Sequence, residues 1–359
     1  MQVLGDAKMR VFAVLVVSLS TLSPAHADEI AAPLGLPPVP AVTAGTAQMR
    51  SLGERLFFDR SLSANGTLSC ALCHIPAQGY ASNQSALSIG MEGRTLRRNA
   101  PSLYNVVFKK YLFHDGRETD LGAQIWGPLL APDEMGNPGI GSLLTRIAQD
   151  RDYSLAFEAA FPGEGVTMAT LGRAIAAYEA TLLKGGSRFD RAFYGGDRAA
   201  LSAQEWRGHD IFVTKGGCVA CHEIGAASAL FADQSWHVTG IAFRPRNEDA
   251  TRVVELAPGV TTHVPISIFG QLRPDPRSDL GRFEITKDPA DRWAFITPSL
   301  RGVKDTWPYM HDGSFATLQE IVEFYDSGCG PNPNLDPRLK PLGLTDDEKA
   351  ALVAFLKAL

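Results

Sequence analysis

Two short stretches hold the residues best suited to chemistry: Cys70-Ala71-Leu72-Cys73-His74 and Cys218-Val219-Ala220-Cys221-His222. Each reads C-x-x-C-H. Two thiols at this spacing can add across the two vinyl groups of one porphyrin, and the next residue can turn its imidazole onto the iron. Zinc or a disulfide is the other reading of paired cysteines. Zinc wants four ligands, and no second Cys/His pair lies at finger spacing near either motif. The spacing therefore predicts two covalently bound haem c groups, one on Cys70, Cys73 and His74, the other on Cys218, Cys221 and His222. Cys329, between Gly328 and Gly330, has no partner left and reads as a free thiol.

The chain that must position these motifs has 359 residues, enough for two modest domains. Its 45 % hydrophobic and 20 % charged content is that of an ordinary globular protein. A net charge of −5 argues against nucleic-acid binding. Lys8 and Arg10 precede an apolar run, Val11 to Leu22, too short to span a bilayer, and Ala25-His26-Ala27 is a small-x-small cleavage site. Residues 1–27 thus read as an export signal. No other segment approaches a membrane span, so no stable membrane insertion is expected. Export together with covalent haem points to the periplasm.

Residues 28–46 are rich in Pro and Ala and read as an extended arm or mobile leader. Helical spacing follows over Gln48–Phe58, Asp120–Leu130, Gly141–Asp150, Asp152–Phe161, Thr167–Leu183 and Ala316–Tyr325. Capping boxes at Ser202/Glu205 and Thr345/Glu348 open two more helices. Short strands are expected within Trp236–Gln271. Gly185 to Ala199 reads as a domain joint. In both halves an amphipathic helix ending in Phe leads through a Gly-containing turn to C-x-x-C-H, an internal repeat. The expected architecture is mainly α, with two cytochrome c-like domains, 47–190 and 191–359, each wrapped around its haem.

Several blocks carry a more specific likeness: Leu56-Phe57-Phe58-Asp59, Arg98-Asn99-Ala100-Pro101, Asp115-Gly116-Arg117, Gly127-Pro128, Glu134-Met135 and Pro308-Tyr309-Met310-His311-Asp312-Gly313. With two haem motifs at this separation, residues 46–359 resemble the bacterial di-haem cytochrome c peroxidase/MauG family. The resemblance implies that hydrogen peroxide reacts at the N-terminal haem, while the C-terminal haem supplies electrons or stores oxidising equivalents. It implies Glu134 as the catalytic carboxylate, Gln124 as its polar neighbour and His311 as a second residue near the peroxide pocket. Met91 stands where family peroxidases can carry a His ligand to the first haem. Either its thioether ligates weakly or that face is open.

At the second haem the family peroxidases place a Met fourteen residues after the His of Pro-Tyr-x-His; counted from His311, that position is Tyr325. The MauG branch has Tyr there. A phenolate stabilises oxidised iron, whereas a thioether favours the reduced form. The family also holds one Ca²⁺, for which Asn99 would give a side-chain oxygen and Thr306 and Pro308 carbonyls. His114 replaces a Trp that often precedes Asp-Gly-Arg, leaving Trp126 or Trp307 as candidate carriers between the haems. The resemblance implies a peroxidase drawing electrons from a small periplasmic cytochrome c or cupredoxin. One alternative is a MauG-type enzyme that oxidises Trp or Tyr of a partner protein. The other is a non-catalytic di-haem electron-transfer cytochrome.

Overall fold

The computed structural model describes residues 29–243, 251–257, 260–265 and 279–359. The export signal expected over 1–27 lies outside the described residues. The chain is mainly helical, as its periodicity predicts. The longer helices are α1 (Ala47–Phe58), α2 (Ile140–Gln149), α3 (Arg151–Ala160), α4 (Met168–Glu179), α5 (Ala203–Val213), α6 (Leu318–Asp326) and α7 (Asp346–Leu356). Two antiparallel strand pairs fall in the region expected to hold short strands and just beyond it: β1 (Trp236–His237) pairs with β4 (Phe295–Ile296), and β2 (Thr251–Ala257) with β3 (Val260–Pro265). No helix of the described residues is long and apolar enough to cross a membrane.

Each half is built on one helix crossing. α1 packs against α4 in the first half, and α5 against α7 in the second. Both crossings need a residue with no side chain. A Cβ on Gly53 would lie 1.9 Å from the Ala174 carbonyl oxygen, and one on Gly208 would lie 2.0 Å from that of Ala351. The glycines let two backbones touch where any other residue would force them apart. The first core gathers Leu52, Leu56, Leu143, Phe157, Leu171 and Ile175; the second gathers Phe189, Phe212, Phe231, Leu352 and Phe355. Phe189 thus packs with the second half although it precedes residue 190.

The capping boxes form as read. The Thr345 hydroxyl accepts from Glu348 N–H while Glu348 accepts from Thr345 N–H, and Ser202 and Glu205 do the same. The helix expected over Asp120–Leu130 is instead two pieces, Leu121–Gln124 and Trp126–Leu130. Pro128 is the cause: it has no N–H to give the Gln124 carbonyl one turn back. The leader is not a mobile arm over residues 29–46. Leu36 and Ala44 are buried, and the Gly35 carbonyl accepts from Arg301 Nη2 at 2.7 Å and from Ala229 N–H at 3.0 Å. Arg301 also pairs with Asp190, both fully buried, so the leader is clasped to the second half.

Gly208→Ala is expected to destabilise the haem-loaded protein by about 1–3 kcal/mol through overpacking. Gly141→Ala, in α2 where an added carbon meets nothing, should stabilise it by about 0.5–1 kcal/mol. Denaturant midpoints of the two variants check the opposite signs.

Candidate active site

The first motif begins in a single helical turn, Cys70–Cys73, with His74 N–H bonded to the Cys70 carbonyl at 2.9 Å. The His74 ring places Nδ1 3.0 Å from the Tyr80 carbonyl. In the second half His222 Nδ1 lies 2.8 Å from the Phe231 carbonyl. Each bond assigns the proton to Nδ1 and leaves Nε2 as the lone-pair nitrogen, the arrangement that iron-binding imidazoles use. Burial lowers the pKa of both rings and keeps them neutral. Tyr80 and Phe231 both take the left-handed backbone conformation, φ 54° and 53°, which turns their carbonyls inward.

The wall beside each imidazole is a second repeat that sequence reading did not find. Pro101-Ser102-Leu103 and His114-Asp115-Gly116 recur as Pro298-Ser299-Leu300 and His311-Asp312-Gly313, every pair 197 positions apart. The geometry recurs as well. Ser102 Oγ donates to the Gly79 carbonyl at 2.6 Å and Ser299 Oγ to that of Leu230 at 2.7 Å. Phe113 and Met310 are both left-handed, and the turns close through Leu112/Glu118 and Tyr309/Phe315 bridges. The constant offset was the signal; it differs from the spacing of the C-x-x-C-H motifs, which hid it.

A cavity of about 400 Å³ opens over the first motif. Cys70, Cys73 and His74 line it together with Gln124, Pro128 and Glu134. Gln124 ends its short helix where Pro128 breaks it. Glu134 sits in a turn fixed from beneath. Asn137 donates to the Leu62 and Leu129 carbonyls at 2.7 and 2.9 Å and accepts from Arg146 at 2.8 Å, while Met135 is buried in the first core. Burial raises the Glu134 carboxyl above its ordinary range, Asp133 adds to this, and Arg117 opposes it. The result is a carboxyl that can both take and return a proton.

Two expected site residues lie elsewhere. Met91 is buried but does not line the cavity. Its N–H bonds to the Asp133 and Glu134 carbonyls, and its side chain packs at Gly136, so it supports the Glu134 turn from behind. His311 is outside the lining too. Its ring stacks on Phe295 at 3.9 Å, and its carbonyl accepts from Asn99 N–H at 2.7 Å, behind the wall that Asn99 and Pro101 form. Sequence reading also missed two charges on the cavity wall, Lys109 and Glu179. Burial lowers Lys109 to about 8 and raises Glu179 to about 8, and one Glu179 oxygen has no hydrogen-bond partner. A carboxylate on the apolar stripe of α4 was the available sign.

Near the second motif, Tyr325 on α6 is half-buried, and burial, then the neighbouring Cys329, Cys218 and Cys221 thiols, push its phenol up. Cys329 is a free thiol beside it. For the calcium set, the Asn99 amide nitrogen lies 2.9 Å from the Ala86 carbonyl and 3.5 Å from that of Pro308. The Thr306 hydroxyl donates to the Val303 carbonyl at 3.3 Å, leaving its own carbonyl as the expected donor to the ion.

Charges lock the two halves together beside the cavity. Arg98 bonds Asp115 and Asp279 at 2.6 Å each, Arg117 bonds Asp115 at 2.9 Å, and Arg97 reaches Asp279 at 3.0 Å.

The comparisons with known proteins agree with this geometry. A family profile described as di-haem cytochrome c peroxidase matches residues 47–199. The cytochrome-c peroxidase IdrP1 of Denitromonas iodatirespirans is 37 % identical over 99 % of this chain and 94 % of its own length. The methylamine utilization protein MauG of Methylorubrum extorquens is 33 % identical over 90 % of this chain and 81 % of its own. Among solved structures, a MauG-like protein associated with microbial copper homeostasis superposes with a TM-score of 0.72 at 30 % identity, covering 94 % of this chain and 95 % of that one. The chain belongs to the di-haem cytochrome c peroxidase family, and is an oxidoreductase of two haem c groups.

The Asp279 carboxyl, 6 % exposed, is held down at about 2 by the two arginines. A carboxyl depressed in the folded state stabilises above its unfolded pKa, and that stability is lost as pH falls toward 2. Asp279→Asn should destabilise the protein by roughly 3 kcal/mol at pH 7, with the difference shrinking below pH 4; denaturation across pH checks both.

Proposed function

We propose that this chain reduces hydrogen peroxide at the centre held by His74 and draws the electrons through the centre held by His222. The carrying observation is the cavity in which Glu134, its carboxyl raised by burial, faces the first C-x-x-C-H motif. Haem bound there supplies the iron at which the O–O bond breaks. Glu134 takes the proton from the near oxygen and returns it to the leaving oxygen. The sum is one peroxide, two protons and two electrons giving two waters. Gln124, on the same cavity, offers an amide to the peroxide. Met91 and the Asn137 bonds hold the Glu134 turn still. With Met91 turned away, the chain provides no strong ligand from that position, and the enzyme needs no reductive activation.

Tyr325 supports a role for the second centre as a store of oxidising equivalents. Burial disfavours its ionisation, so a cation facing the ring is what would hold it as phenolate. The electrons come from a small periplasmic donor, a cytochrome c or a cupredoxin. A second reading, oxidation of Trp or Tyr on a partner protein as in MauG, is favoured by Tyr325. A purely electron-transferring cytochrome would have no use for the Glu134 pocket. The export signal supports a periplasmic location. Two carbonyls, of Ala86 and Pro308, flank the Asn99 amide; with the amide oxygen turned inward, Asn99 and the Pro308 and Thr306 carbonyls would suit one Ca²⁺.

The oxidised holoprotein is expected to give one high-spin and one low-spin ferric EPR signal; two low-spin signals refute the reading. Glu134→Gln should slow the reaction with peroxide by roughly 10²-fold or more with both spectra kept, and an unchanged rate removes Glu134 from the mechanism. Rapid turnover with reduced cytochrome c, without pre-reduction, separates a peroxidase from a MauG-type enzyme. Metal analysis tests the calcium site: Asn99→Leu should abolish the bound Ca²⁺, and a wild-type protein free of calcium refutes it.

A further inference from the structure

We infer that Trp236 is the electron carrier between the two halves. This rests on the two-centre peroxidase reading above. The indole joins structural elements of both sites. On the first side, Trp236 Nε1 donates to the Asp115 carbonyl at 3.0 Å, and Asp115 lines the first cavity together with Phe113 and His114. The contact is close: a Cβ on Gly116 would lie 2.6 Å from the indole, so only glycine lets the ring lie flat against this backbone. On the second side, the next residue along the strand is His237, whose ring nitrogen lies within 4.8 Å of the Cys221 sulfur. That sulfur is one of the two that attach the second haem.

The β1/β4 pairing fixes this bridge. Trp236 pairs with Ile296 and His237 with Phe295, and Ile296 N–H bonds to the His114 carbonyl at 2.9 Å. His237 is held from both sides, with Asp233 and Asp336 oxygens each 2.8 Å from a ring nitrogen. The route from the wall to the Cys221 sulfur is thus one hydrogen bond, one aromatic ring, the backbone to the next residue and a gap of at most 4.8 Å from the His237 ring. The other candidates lie off it. Trp126 is packed in the first core, and Trp307 is 40 % exposed. His114 lies on the cavity wall, but its imidazole is neutral and bonded to the Asn99 carbonyl, and an imidazole yields an electron less readily than an indole.

Each transfer balances at the indole. Trp236 gives one electron to the first centre after peroxide has oxidised it, then takes one from the second centre. Nε1 keeps its proton and no bond breaks. Arg282 sets the lifetime of the intermediate state. Its guanidinium lies 3.6 Å over the indole and donates to the Asp115 and Gly116 carbonyls at 3.1 and 3.3 Å. A fixed positive charge there opposes a positive indole, so the charge crosses the ring without resting on it.

Stopped-flow spectroscopy of the holoprotein with one equivalent of hydrogen peroxide and no donor tests this. The two haems are followed at their separate bands. Trp236→Phe is expected to slow the second-haem response, relative to the first, by roughly tenfold or more. Trp236→Tyr, which keeps an oxidisable ring, should recover most of it, and Trp307→Phe should match wild type. A Phe variant as fast as wild type, or a Tyr variant as slow as Phe, overturns the proposal. If the Phe variant does not take up both haems, Arg282→Gln decides. Rapid-freeze EPR should then show an indole radical that narrows on ring deuteration of tryptophan, and its absence overturns the assignment. A wild-type first haem that ignores peroxide would refute the peroxidase reading instead, and is told apart by that silence.

Discussion

Each half of this molecule turns on one hydrogen bond, from an imidazole Nδ1 to a backbone carbonyl. At His74 the acceptor is Tyr80 and at His222 it is Phe231. The bond sets which nitrogen carries the proton and therefore which one can meet iron. Each acceptor carbonyl points inward only because its residue is left-handed, and the Ser102 and Ser299 hydroxyls pin the residue before it. The helix crossings at Gly53 and Gly208 then close behind these loops. One device, built twice, fixes both metal-facing nitrogens.

The function arises from what the repeat does not share. The cavity that His74 lines also carries the Glu134 turn, a carboxyl with its pKa raised by burial and a backbone braced by Asn137 and Met91. Near the second motif the chain places Tyr325, from α6. A carboxyl raised by burial at one motif and a phenol at the other give the same fold two chemically different surroundings. The halves are then joined by a shared ion cluster, Arg97 and Arg98 with Asp115 and Asp279, set beside the reactive cavity and not remote from it.

Local chemistry was legible in the chain. C-x-x-C-H located both attachment sites, and the Ser202 and Thr345 capping boxes opened helices where expected, because these signals involve residues only a few positions apart. The break at Pro128 was equally local, but the apolar stripe of Asp120–Leu130 masked it. What sequence reasoning missed depends on distant partners. Met91 and His311 match the family's positions, yet which way they face is decided by Gly136 and by Phe295. Lys109 and Glu179 come from separate segments, and only the folded wall brings them to one cavity. The 197-residue repeat was present in the letters but hidden by unequal spacing between loops.

The clasped leader bears on how the chain comes to its final state. Gly35 is held by Arg301, 266 positions further on. A ribosome delivers Gly35 long before Arg301. Closing that contact therefore has to wait until most of the polypeptide has been made, a slow, non-local step by its topology. Until then both cysteine pairs belong to an incompletely closed chain, which leaves an interval for the porphyrins to be stitched in.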